Sequence, residues 1–183
     1  MNYLINNKLN LRFDNQKNFM RIIWIVDNKY RELYGLYDLK KKLLNNKIKL
    51  YLFHIPVWKT AIDFINPNIV IVPNLLKSSC GPIVEYAHKK KINILMHSSE
   101  GMFYSDETQR EKYPLALIKK IDKVLAWSKQ DAKYLIKKGF KKKVLISGNL
   151  KFDRKNFFNK KAANKKINVI GVPTHSRGIS GYG

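Results

Sequence analysis

Short apolar runs rich in β-branched residues alternate along this chain with longer segments whose apolar residues fall three or four apart. The first pattern is that of a buried strand, the second that of a helix with one apolar face. Ile22-Ile23-Trp24-Ile25-Val26 opens the series, and the stretch from Tyr30 to Leu44 follows with Leu33, Leu36, Tyr37, Leu43 and Leu44 at helical spacing. Ile48 to Phe53 predicts a second strand, and Pro56 marks the approach to a short amphipathic helix over Val57 to Ile65. Ile69-Val70-Ile71-Val72, apolar without interruption, predicts a strand covered on both faces. Gly81-Pro82 opens a helix to about Lys90, and Ile92 to Met96 is a fourth strand. A helix from about Thr108 to Ile121, interrupted or restarted at Pro114, leads to a strand over Lys123 to Trp127. Ser128 caps a helix over Lys129 to Lys138 that Gly139 ends, and Val144 to Ser147 is a sixth strand.

Strands that alternate with helices in this way build βαβ units, so the predicted fold is α/β, an open doubly wound parallel sheet of Rossmann type. Residues 1–20 form an extension and 21–153 the Rossmann-like domain. The lysine-rich stretch after Gly148, with Ile167 to Val172 beyond it, places a linker and the first strand of a second Rossmann domain over 154–183.

Ligands of such sheets bind outside the carboxyl ends of the strands. The residues expected there are Asp27-Asn28 and Arg31, His54, Pro73-Asn74 with Lys77-Ser78-Ser79, and His97-Ser98-Ser99-Glu100-Gly101. Further along come Ser128, Gly148-Asn149 and Thr174-His175-Ser176-Arg177. Asp27 is read either as a ligand contact or as a helix cap. Glu100, a carboxylate beside glycine in a crevice loop, suits a general base whose pKa burial or a neighbour raises, with His97 placed to orient it or to meet an anion. No Gly-x-Gly-x-x-Gly or phosphate-loop lysine follows the first strand, which argues against an ordinary NAD site or a phosphate-loop nucleotidase. No metal-ligand spacing is present, and the expected chemistry is metal-independent.

Composition adds one complication. The 183 residues carry 36 Lys plus Arg against 13 Asp plus Glu, a formal charge of +23. Only Arg12, Arg21, Arg31, Arg110, Arg154 and Arg177 are arginine, whereas base and phosphate recognition favours the bidentate guanidinium, so nucleic acid is an unlikely partner. The lysine runs 40–42, 89–91, 119–120 and 137–143 fall at predicted helix carboxyl ends, away from the crevice, where they complement the helix dipole or face an anionic membrane. With 45% hydrophobic residues the chain can bury a core. Cys80 alone forms no disulfide, and the amino terminus holds no long apolar stretch. The expected location is cytoplasmic, with peripheral contact at the inner face of the membrane as an extension of the charge argument.

Val144-Leu145-Ile146-Ser147-Gly148-Asn149-Leu150-Lys151-Phe152-Asp153 resembles the hinge segment of two-domain GT-B glycosyltransferases, above all the Kdo transferases and the bacterial surface carbohydrate biosynthesis proteins. The latter also show a start like Val26 to Leu36, a Glu-Gly loop like Glu100-Gly101 and an Asp-x-x-x-x-Trp strand like Asp122 to Trp127. The resemblance implies an acceptor-binding first domain with Asp27, Arg31, His97, Ser99 and Asn149 at the acceptor and Glu100 as base. It further implies a second domain for the nucleotide-activated sugar, beginning near Thr174, His175 and Ser176, whose loop would hold the nucleotide phosphate. Most of that donor domain lies beyond Gly183, so the chain is expected to be a fragment or to be completed by another chain, and to be inactive alone. No cofactor is expected beyond a nucleotide-sugar donor, with a carbohydrate or lipid-linked acceptor as the other partner. Non-hydrolysing UDP-N-acetylglucosamine 2-epimerases offer the alternative, through echoes of their motifs in His97 to Gly101, Glu107 to Arg110 and Gly148 to Asp153. A non-catalytic basic module that binds a membrane surface or nucleic acid remains the contrasting class.

Overall fold

In a computed structural model, residues 19–98, 113–148 and 150 are described, the side chains of Arg31 and Lys142 excepted. Six parallel strands form one sheet in the order β2-β1-β3-β4-β5-β6. They are β1 (Met20–Val26), β2 (Ile48–His54), β3 (Ile69–Val72), β4 (Asn93–His97), β5 (Lys123–Ala126) and β6 (Val144–Ile146). Between them lie α1 (Lys29–Leu44), α2 (Trp58–Ile65), α3 (Gly81–Lys89), α4 (Leu115–Ile118) and α5 (Lys129–Leu135). The expected α/β doubly wound sheet is the fold observed.

Two apolar layers flank the sheet. Alternation along β1 sends Ile23 and Ile25 to one face and Ile22, Trp24 and Val26 to the other. The first face packs against α2 through α5 by way of Ile62, Ile83, Val84, Leu117 and Leu135. The second face meets α1 through Leu36, Leu39 and Leu43. β3 is buried at every position, as its unbroken apolar run requires for a central parallel strand.

Two local expectations change. The buried stripe of α1 is Glu32, Leu36, Leu39 and Leu43, whereas Leu33, Tyr37 and Leu44 face solvent. Both stripes have helical spacing, so periodicity alone did not tell them apart; docking on the sheet chose the aliphatic one. The helix expected to reach Ile121 ends at Ile118 within the described residues. There the Lys143 ammonium donates to the carbonyls of Ile118, Lys119 and Ile121 at 3.3, 3.2 and 2.5 Å, while the Ile118 carbonyl also accepts the Ile121 amide at 3.2 Å. Gly139 does end its helix, at φ 107°, though the last turn widens over Ile136–Phe140.

Candidate active site

The strand order reverses direction between β1 and β3, and an open α/β sheet has its crevice at that switch, outside the carboxyl ends of the strands. The exits of β1, β3 and β4 therefore define the candidate site.

At the β1 exit, Asn28 caps α1. The Asn28 side-chain oxygen accepts the Tyr30 amide at 3.0 Å, and its carbonyl accepts the Glu32 amide at 3.1 Å. Glu32 turns back and accepts the amides of Asp27 and Asn28 at 3.3 and 3.4 Å. A buried carboxylate thus takes up the two amides that lead into this helix, and its charge offsets the positive pole of the helix. In a dinucleotide-binding βα turn the amides of the turn and of the first helical residues serve a phosphate. Here two amides of that turn, those of Asp27 and Asn28, are bonded to a group of the same sign as the phosphate.

At the β3 exit, Asn74 folds the loop over itself. Its side-chain oxygen accepts the Leu76 amide at 3.1 Å and the Ser79 hydroxyl at 3.0 Å. The following Cys80 is buried, and its thiol is pushed up to about 11, first by burial, while the Ser79 and Asn74 hydrogen bonds pull the other way. The carboxylates of Asp27 and Glu32 raise it further. Such a thiol is inert as a nucleophile at neutral pH.

At the β4 exit, His97 is buried and its ring lies 5.2 Å from that of Trp24 at a 58° tilt. Because side chains alternate, Leu95 and His97 share the α1 side of the sheet with Trp24. Ser98, the next residue, is held from a neighbouring strand: the Trp127 indole donates to its carbonyl at 2.9 Å. Tyr113 also bonds Ser98, and its phenol is pushed up to about 12, chiefly by burial. Asp122, at the other end of β5, accepts the Ile94 amide at 2.7 Å and donates its own amide to the Ile94 carbonyl at 2.9 Å. The Asp-x-x-x-x-Trp segment is thus a clamp that grips β4 at its start and just past its end.

Behind Trp127, Ser128 caps α5 by accepting the Asp131 amide at 3.1 Å, and Asp131 accepts the Trp127 amide at 2.7 Å. This reciprocal cap buries Asp131 and raises its carboxyl above the usual range, burial outweighing the Trp127 bond. After β6, Gly148 adopts φ 79°, and Leu150 then packs beside α1. Its carbonyl approaches so near that a Cβ on Gly35 would lie 2.5 Å from it.

The structure therefore places Asp27 and His97 at the same carboxyl edge of the sheet, two strands apart, with the Arg31 backbone in the first turn of α1. His54 is exposed at the end of β2, beyond β1. Ser99, Glu100, Asn149, Thr174, His175 and Ser176 lie outside the described residues, as do the domain boundary near 153 and Glu107 to Arg110. Among the described residues, no three His, Cys, Asp or Glu side chains group as metal ligands. Sequence reasoning missed Glu32, whose signal was a carboxylate four residues after a capping Asn, and the Trp127–Ser98 tie, which spans 29 residues and leaves no local trace.

This arrangement defines a Rossmann-like α/β domain in which a carboxylate occupies two amides of the first βα turn. A solved structure titled UDP-GlcNAc 2-epimerase, from Methanocaldococcus jannaschii, shares the fold with a TM-score of 0.53 at 14% sequence identity. The match covers 71% of this chain and 45% of that one, so the present chain spans less than half of that protein's length. The neighbour has a GT-B-like fold, and at this identity the likeness establishes architecture alone. No protein-family model matches the sequence, and no curated protein matches it.

Proposed function

We propose that this chain is the acceptor-side half of a GT-B enzyme acting on a nucleotide-activated sugar, and that the reaction is glycosyl transfer in surface polysaccharide or lipopolysaccharide synthesis. The observation that supports it is the α1 amino terminus. With Glu32 occupying the Asp27 and Asn28 amides, the crevice disfavours a phosphate and suits a ligand recognised through hydroxyl groups. The nucleotide then falls to a second Rossmann unit, whose first loop would carry Thr174, His175 and Ser176.

In this reading Asp27, Arg31, His97, Ser99 and Asn149 bind the acceptor. Glu100, two residues past the clamped Ser98, removes the proton from the attacking hydroxyl as the glycosidic bond to the nucleotide breaks, and the leaving phosphate is stabilised by loop amides of the second unit. Rigid support close to the base is what such a proton transfer needs. The test uses the full-length gene product with nucleotide sugars and candidate acceptors. Acceptor-dependent transfer that Glu100→Gln abolishes is the expected result; normal rates in that variant would remove the base assignment.

Epimerisation is the second reading, suggested by the activity named for the archaeal protein whose fold this chain shares. Turnover of UDP-N-acetylglucosamine with no acceptor present would establish it and overturn transfer.

A further inference from the structure

Helix α1 carries two apolar stripes. The inner one is buried on the sheet, and the outer one comprises Tyr30, Leu33, Tyr34, Tyr37 and Leu44, with exposures of 80, 40, 67, 56 and 57%. Of the eleven large apolar residues exposed among the described residues, these five sit on this one helix. Scattered exposed apolar residues are ordinary, but a stripe in line along a helix marks a contact surface. Beside it, Tyr37, Leu44, Ile48 and Tyr51 line a groove of ≈ 430 Å³ between α1 and the edge strand β2, with Lys40, Lys41 and Lys49 at its rim.

The chemistry of the border selects the occupant. The Lys29 ammonium lies 5.0 Å from the Tyr30 ring centre, and the Lys41 ammonium 4.6 Å from that of Tyr37. Along α1 the five basic residues Lys29, Arg31, Lys40, Lys41 and Lys42 stand against two acidic ones, the buried Glu32 and Asp38. A second copy would bring like charges together across the stripe, in a chain of formal charge +23. Nucleic acid would use the cations and the tyrosine rings but would gain nothing from Leu33, Leu44 and the aliphatic groove wall. An anionic lipid surface takes all three kinds of group: aliphatic side chains at the acyl boundary, tyrosines at headgroup depth and lysines on the phosphates. No helix among the described residues is long and apolar enough to cross a membrane, so the contact concerns the surface.

We propose that the outer stripe of α1, with Lys29, Lys40, Lys41 and Lys49, is a docking surface for the anionic face of a lipid bilayer. It differs from the lysines of helix ends 89–91, 119–120 and 137–143, where Lys90 and Lys138 each lie over one tyrosine, Tyr86 and Tyr134, and where the described residues carry no row of exposed tyrosines and leucines. The helix, about 24 Å long at 1.5 Å per residue, lies along the membrane plane.

The test is co-sedimentation of the full chain with vesicles of phosphatidylcholine alone, and with an equimolar mixture of phosphatidylcholine and phosphatidylglycerol, at physiological salt. The triple variant Tyr30→Ser, Tyr34→Ser, Tyr37→Ser keeps every charge and alters only exposed side chains, so its fold is checked by circular dichroism. A second variant, Lys119→Gln with Lys137→Gln, removes the same kind of charge elsewhere. The expected result is binding to the mixed vesicles only, weakened about tenfold or more in the tyrosine variant and by less than about twofold in the lysine control. Equal binding by wild type and tyrosine variant would overturn the proposal, since charge anywhere on the chain would then suffice. So would absence of vesicle binding, a self-association that the tyrosine variant abolishes, or an affinity for RNA above that for mixed vesicles.

Discussion

Replacing Gly35 with alanine sets two opposed effects against each other, and the structure decides the sign. In a helix interior alanine is favoured over glycine by about 0.8–1.0 kcal/mol, so an unobstructed position would be stabilised. At Gly35 the added Cβ would meet the Leu150 carbonyl oxygen at 2.5 Å and the Leu150 carbonyl carbon and Cβ at 3.1 Å. The obstacle is backbone, which no rotamer change relieves, and overpacking of this kind costs about 1–3 kcal/mol. The two ranges leave a net loss of up to about 2 kcal/mol, and a contact with backbone atoms places the outcome at the upper end. With an m-value of roughly 1–3 kcal/mol/M, a loss of about 2 kcal/mol lowers the urea midpoint by about 0.7–2 M at unchanged slope. A stabilisation of about 1 kcal/mol would refute the reasoning, because it would mean that the chain after β6 does not rest on α1.

Three further outcomes follow from the same geometry. Trp127→Phe keeps the ring and removes the indole donor to Ser98; stability should fall by about 1 kcal/mol, and hydrogen exchange in the peptide holding His97 and Ser98 should quicken, whereas unchanged exchange would deny the clamp. Lys143→Met leaves the Ile118, Lys119 and Ile121 carbonyls without their ammonium and should cost about 2 kcal/mol in urea; an unaltered midpoint would show that water serves them equally well. Asp131, raised by burial from 3.8, binds its proton more tightly folded than unfolded, so its contribution to stability falls as pH rises through the window above 3.8. Urea titrations from about pH 4 to about pH 7 should show that decline in wild type and not in Asp131→Asn; parallel curves would reject it.

The alternation of strand and helix, the parallel class of the sheet and most element boundaries were legible from apolar spacing, because a buried parallel strand and a one-faced helix impose distinct periods on the chain. The caps at Ser128 and Gly139 were legible for the same local reason: each depends on one residue and its neighbours. Contacts between distant segments left no such mark. Trp127 reaching Ser98, Lys143 closing the end of α4 and Leu150 resting against Gly35 join residues 29, 25 and 115 positions apart at most, and no periodicity encodes a pairing across that separation. α1 shows the division most plainly. Its sequence holds two stripes of equal helical spacing, and the tertiary structure, by laying Leu36, Leu39 and Leu43 against the sheet, determined which became core and which was left facing outward. The sequence determined which side chains could gather at the crevice. Only the folded chain decided that Glu32 would take the amides of Asp27 and Asn28, because that choice depends on how the turn closes in three dimensions.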